Sequence, residues 1–444
     1  MRFSKVFLLP ALLLTGFVSF SQKLLTLEEA IATALQNNYD IKLSKNDSMV
    51  AALDYRYRNA AFLPTLNGAA TTTWNTNNQN LKFTKKDGGG DSAVTRDAVK
   101  SHNTNLGVSL NWVLFDGLRM FATREKAEEF LNLGSLTIKS QVVNTVATVI
   151  ATYYDVVRQK QQLRAVEEQI ALNDERVKLA QYKLDVGTGA KPDVLQSKVD
   201  LNAQKALKLS QLTLIAQLKE QLNQLMSIAS GNEFEVSDSI PLNTNIALAD
   251  IQNDIERSNP NLLIAKKNID ISRLTLKENR AALLPTLSFS SAYNFTQSDN
   301  SVAVNINQPF YSQNKGLNYG LTASIPIFNR FQTRRLIKQS QLDISYRQLV
   351  FESQRSVINL NVINAFKNYQ QQSLALDLEE ENILLARENV DIVFQTYKLG
   401  AATLVQLREA QNSLEAANNR LIAARYEMKL AETELLRLKG TLIR

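Results

Sequence analysis

Cysteine is absent from all 444 residues of this chain, and histidine occurs once, at His102. Without thiols there is no disulfide framework, no thiolate nucleophile and no lipid attached through an N-terminal cysteine. One imidazole and no thiolate leave too little from which to build a transition-metal site. Glycine and proline are sparse, at 15 and 8 residues, and between Arg330 and Leu399 seventy residues pass without either. Beyond the first twenty residues no run of eighteen apolar side chains occurs, so no transmembrane helix is expected. Basic residues exceed acidic ones by seven in the whole chain and form no block, which gives nucleic-acid binding no support.

The N-terminus has the pattern of an export signal. Arg2 and Lys5 precede the apolar stretch Val6 to Phe20, and Ser19-Phe20-Ser21 makes a small-x-small cleavage site before Gln22. Residues 1–21 are therefore read as a signal peptide, whose removal lowers the formal charge from +7 to +5.

The long stretches without breakers carry a seven-residue apolar stripe, twice. Val142, Val149, Val156, Leu163, Ile170, Val177 and Leu184 form one copy; Val362, Tyr369, Leu376, Ile383, Val390 and Tyr397 form the other. A strict seven-residue spacing keeps one seam on a partner only if the helices wrap around each other left-handedly. Seventy helical residues would span about 105 Å. Each rod reverses at a glycine, Gly187 with Gly189 and Pro192 in one copy and Gly400 in the other. The returning stretches have their own stripes, Val194, Leu201, Ile215 and Leu222, and Leu407, Leu414, Leu421, Met428 and Leu435.

The repetition is an internal duplication. Glu167-Glu168-Gln169-Ile170 matches Glu380-Glu381-Asn382-Ile383 at an offset of 213, which also pairs Phe115 with Phe328, Gly187 with Gly400 and Leu201 with Leu414. Leu63-Pro64-Thr65-Leu66 matches Leu284-Pro285-Thr286-Leu287 at an offset of 221. The difference falls in the polar loop Lys82 to Asp91, where insertions are tolerated. The first repeat is read as 22–230, with a strand pair over about 65–115 and a helical hairpin over about 118–226. The second, 231–444, starts with a linker and has its strand pair over about 286–328 and its hairpin over about 330–439. Thr26 with Glu29 forms a capping box that opens the first helix.

Between each proline and each rod the period falls to two. Leu106, Val108, Leu110, Trp112 and Leu114 alternate with polar or small residues, as do Leu287, Phe289, Tyr293 and Phe295, and Tyr319, Leu321, Ala323, Ile325 and Ile327. About ten alternating residues suffice to cross a bilayer in a tilted strand, and also suit a soluble hairpin with one face on a core. Four strands cannot close within lipid, because their edges would lack partners. Three copies would supply twelve, enough to surround water.

These residues resemble the TolC family of outer-membrane efflux proteins. The resemblance is carried by Leu27-Glu28-Glu29-Ala30 to Asn37-Asn38, both Leu-Pro-Thr-Leu turns, and Phe115-Asp116-Gly117 with Phe328-Asn329-Arg330. The reversals Tyr182 to Leu195 and Tyr397-Lys398-Leu399-Gly400 complete it. It implies a mainly helical protein whose duplicated coiled coils form a periplasmic α-barrel. Four strands per chain would contribute to a trimeric twelve-stranded barrel in outer-membrane lipid. It also implies a homotrimer that conducts passively, with a periplasmic adaptor (membrane fusion protein) and an inner-membrane pump of RND, ABC or similar type as partners. Gly187 and Gly400 would mark the periplasmic tip that meets the adaptor. Gate and constriction positions fall on Asp193, Tyr397, Gln406 and Glu409. The family's best-studied member has arginine where this chain has Ala402, and only Glu409 keeps a charge where that member has two carboxylates.

Each of these positions also has a plainer reading. Tyr397 lies on the apolar seam, Glu409 suits a solvated helix face, and the two glycines suit helix ends with positive φ. A non-conducting periplasmic coiled coil that spaces the envelope, or an exported fibre, would share the rods but not a membrane sheet. The runs Glu167-Glu168 and Glu379-Glu380-Glu381 suit solvated helix faces. His102 has no second histidine to pair with, and Gly88-Gly89-Gly90 lacks the helix a phosphate loop needs. No catalytic, metal or cofactor site is expected.

Overall fold

The computed structural model describes residues 23–83, 92–243, 246–252, 254–302 and 309–442. The signal segment and the glycine triplet of the first polar loop lie outside the described residues.

In chain order the elements are β1 (Lys23–Leu25), α1 (Leu27–Asn37), α2 (Tyr39–Arg56), β2 (Thr65–Phe83), β3 (Ser92–Phe115), α3 (Arg119–Asp185) and α4 (Lys191–Met226). Then come β4 (Phe234–Val236), α5 (Leu248–Gln252), α6 (Ile255–Ser258), α7 (Pro260–Ala281), β5 (Thr286–Asn300), β6 (Tyr311–Ser324), α8 (Gln332–Lys398) and α9 (Leu404–Lys439). The duplication is visible in the lengths: α3 and α8 are both 67 residues long, and α4 and α9 are both 36.

By compactness the chain divides into two units, which cut across the repeats. One takes Met1–Lys42, Gln141–Ser258 and Ile358–Arg444; the other takes Leu43–Ser140 and Asn259–Val357. In the first unit β1 and β4 form a small parallel pair that packs on the middle of α3. Val149, Tyr153, Val156 and Val157 of α3 are buried there with Leu222 and Met226 of α4 and Phe234 and Val236 of β4. The Tyr153 hydroxyl donates to the Leu25 carbonyl at 2.9 Å and accepts from the Ser237 amide at 3.2 Å, so its burial leaves no polar atom unpaired.

Along α8 the seven-spaced line is buried throughout, from Val362 to Tyr397, as are Leu407, Leu414, Leu421, Met428 and Leu435 of α9. Helix α3 behaves differently. Val149 and Val156 are buried, but Leu163, Ile170, Val177 and Leu184 are only half-buried. The line three residues over, Thr145, Thr152, Gln159, Val166, Asn173 and Ala180, is the buried one, with Gln169 and Arg176 beside it. Polar side chains occupy it because the neighbouring helices supply partners. Gln211 of α4 donates to both the Gln159 carbonyl and its Oε1, at 3.0 and 2.6 Å.

The second unit contains one open antiparallel sheet in the order β2-β3-β5-β6. Its strands run 19, 24, 15 and 14 residues, longer than the ten expected. Alternation in the sequence marks only the apolar stretch, whereas the backbone ladder continues through the Thr- and Asn-rich Thr71–Asn80, where side chains of either polarity fit a pleat. Strand β6 ends at Ser324, so Ile325 and Ile327 lie past it, flanking Pro326, which cannot donate to a ladder.

Candidate functional site

The cross-strand register gives the sheet two unlike faces. On one face the rungs read Trp112–Phe289–Leu321, Leu110–Ser291–Tyr319 with Leu66, Val108–Tyr293–Leu317 with Gly68, and Leu106–Phe295–Lys315 with Ala70. Directly behind them the other face reads Asn111–Ser290–Gly320 with Thr65, Ser109–Ala292–Asn318 with Asn67, Gly107–Asn294–Gly316 with Ala69, and Asn105–Thr296–Asn314 with Thr71. Along β6 both faces are open: every residue from Tyr311 to Ser324 is exposed, with Leu317, Tyr319 and Leu321 at 65, 77 and 66%. Adding Leu287 below, the apolar rungs run from Leu287 to Phe295 of β5, about 27 Å along the strand and about 20 Å in height at a 45° tilt. That is close to the apolar band of a barrel wall, about 25 Å. At its upper limit Lys315 lays its ammonium 5.5 Å from the Phe295 ring centroid. Beyond a polar rung, Thr72–Thr104–Gln297–Gln313, comes Trp74–His102–Asp299–Tyr311. Trp74 stacks on His102 there at 5.0 Å, an aromatic row at the height of an interfacial girdle. Strands β2 and β6 both have a free edge in this sheet among the described residues.

The two reversals belong to the other unit. Gly187 and Gly400 have φ of +77° and +81°, with open space where a side chain would stand, so each is required by conformation and not by crowding. Val186, Leu195, Leu399 and Val405 around them are 52 to 84% exposed. At the 213-residue offset Asp193 and Gln406 are equivalent, and each is the third residue of its returning helix. They are used differently. Gln406 closes a capping box: its Oε1 accepts from the Thr403 amide at 2.8 Å and its own amide donates to Thr403 Oγ1 at 3.3 Å. The first reversal has Ala190 at the equivalent cap and no side-chain cap bond, so Asp193 interacts with that helix end through its charge. The Thr403-x-x-Gln406 spacing is itself a capping signal legible in the sequence.

Asp193 and Tyr397 are close enough for the charge of one to act on the other. Tyr397 is buried at the end of α8; burial first, and then the negative charge of Asp193, push its phenol above the usual value, with Arg176 pulling the other way. Gln406 and Glu409 share a different place, a groove of about 510 Å³ with Asn389, Thr396, Ala402 and Ser413 that Tyr397 does not line. Two residues with no local signal complete the arrangement. Arg176 is fully buried, donating to Asp200 Oδ2 at 2.6 Å and Gln411 Oε1 at 2.7 Å. Lys183 reaches across to the end of α8.

A model of the outer membrane efflux protein family matches residues 30–231 and 252–441. The chain is 22% identical over 442 residues to the outer membrane efflux protein BepC of Brucella suis biovar 1 (strain 1330), covering 98% of this chain and 88% of that protein. It is 22% identical over 456 residues to the outer membrane protein TolC of Escherichia coli (strain K12), covering 98% and 86%. Among solved structures, the outer membrane protein VceC from Vibrio cholerae shares the fold, with a TM-score of 0.75 at 15% identity over 93% of this chain and 96% of that one.

Proposed function

The chain belongs to the outer membrane efflux protein family, and from that premise we propose that it is the outer-membrane exit duct of an efflux or type I secretion system. The observation that carries this reading is the two-faced open sheet. Its apolar face suits lipid, its polar face suits water, and its two free edges require strands from other copies before either backbone edge can enter a bilayer. The family is one of channels, not enzymes, so the chain does no chemistry on what passes; energy comes from its partners.

We propose a homotrimer in which twelve strands line an aqueous pore and the paired long helices continue it through the periplasm. Residues 22–230 and 231–444 are the two copies of the duplicated unit, a division supported by the equal helix lengths. The reversals at Gly187 and Gly400 form the periplasmic tip, and the exposed apolar side chains around them suit a helical adaptor bound to an inner-membrane pump. Asp193 with Tyr397, and Glu409 beside Gln406, belong to the constriction. With the Gln406 carboxamide held in its cap, Glu409 is the acidic group of that groove, so a trimer has one carboxylate ring there, which favours cations.

Purified full-length protein tests this directly. Light scattering in mild detergent should give a trimer, and planar bilayers should show stepwise, cation-selective conductance. A monomer that gives no steps sinks the reading.

A further inference from the structure

The two reversals share a backbone plan and differ in where one pair of equivalent side chains, Lys183 and Thr396, is directed. In each, a carbonyl of the last helical turn collects the amides of the turn. Lys183 accepts from Thr188 and Gly189 at 2.9 and 2.8 Å, and its counterpart at the 213-residue offset, Thr396, accepts from Ala401 and Ala402 at 2.9 and 3.3 Å. The Thr396 hydroxyl then folds back on its own helix, donating to the Ile392 and Val393 carbonyls, both at 3.0 Å. The Lys183 side chain leaves its helix. Its Nζ donates to the Tyr397 carbonyl at 2.6 Å and lies 3.8 Å from the centroid of the Tyr397 ring.

That carbonyl is among the last four of α8, which have no acceptor role left inside the helix; it also takes the Gly400 amide at 3.1 Å. A cation there faces the negative end of the α8 dipole and the face of a buried aromatic ring at once. The link runs one way only. The residue equivalent to Tyr397 is Leu184, which has no ring, and Thr396 has no ammonium, so the second hairpin makes no reciprocal grip on the first.

We propose that Lys183 is the positioning residue of the tip: it clamps the second reversal to the first and thereby holds Tyr397 in the constriction. The clause about the constriction rests on the channel reading given above; the clamp itself does not. The clamp also supplies a cation to this cluster from α3, at a tip where Ala402 offers none.

The test uses full-length trimers carrying Lys183→Met, which keeps the apolar stem, and Lys183→Arg, which keeps a donor and the positive charge. Amide hydrogen exchange of residues 395–402 and single-channel conductance are both measured, with amides of Val149–Val157 as the folding control. Loss of the charge-assisted bond should speed exchange at 395–402 in Lys183→Met about tenfold, leave the control amides unchanged and raise conductance. Lys183→Arg should restore both. Unchanged exchange in Lys183→Met, or a Lys183→Arg that behaves like Lys183→Met, overturns the clamp. Faster exchange with wild-type conductance overturns its role at the constriction. Faster exchange in trimers that never conduct, wild type included, overturns that role through the channel reading instead and leaves the clamp standing.

Discussion

Arg176 offers the sharpest test of how the helical unit is held together. It is 1% exposed, in a helix line where a coiled coil ordinarily has an aliphatic residue. Burial pulls its guanidinium pKa below the usual value, and Asp200 opposes that pull. Replacing Arg176 with Met keeps the stem's volume but removes two charge-assisted bonds and leaves Asp200 facing Gln411 and a polar cavity of about 320 Å³. Removing one partner of a buried pair costs about 3–5 kcal/mol. Two facts lower that here: the Asp200 side chain is 23% exposed, and Gln196 still donates to its Oδ1 at 2.8 Å. The expected loss is therefore about 2–3 kcal/mol. Read by native-state hydrogen exchange at 169–180, that is about 30- to 150-fold faster exchange. The double variant Arg176→Met, Asp200→Leu removes both charges and should return to within about 1 kcal/mol of the parent. A single variant that speeds exchange less than about threefold, or a double variant as damaging as the single, refutes the claim that the pair is held by its mutual compensation.

Two further outcomes follow from the same structure. Leu317→Lys puts a charge on the apolar face of the sheet and should cost about 2–4 kcal/mol in the membrane, whereas Asn318→Lys on the polar face leaves its charge in water and should cost much less; heat-resistant trimer recovered from outer membranes measures both, and equal losses would contradict the assignment of faces. Acid should loosen the segment after α4. Burial raises the Glu235 pKa, but bonds from Lys219 and Lys160 outweigh it and the net direction is down; Asp238 is lowered chiefly by its bond from Lys160 and then by that from Arg164. Groups with depressed native pKa stabilise above their ordinary range and lose that contribution as pH falls through the native value. Protease protection of residues 231–240 should therefore fall between about pH 5 and 3, less steeply in Asp238→Asn.

Helix existence, length and reversal were legible in the chain because each rests on short-range rules. A stretch without Gly or Pro propagates, a seven-residue line on α8 needs only its own spacing to find a partner, and a glycine past the last turn ends the helix wherever it folds. The sheet faces were also legible, since alternation is local. The candidate site was less so. The Asp193 charge is felt at Tyr397, whereas the Gln406 carboxamide is engaged in its own cap, and that distinction depends on Thr403 standing where the first half has Ala190.

The primary structure by itself determined the duplicated hairpins, the open amphipathic sheet and the positions where the chain turns, because these follow from periodicity and backbone preference within a few residues. Only the tertiary structure decided which line of α3 is buried, that Arg176 bridges to Asp200 and Gln411, and that Lys183 caps a helix 214 residues away. A buried polar or charged side chain is stable only where a partner waits, and that partner comes from another part of the chain, so no local pattern announces it.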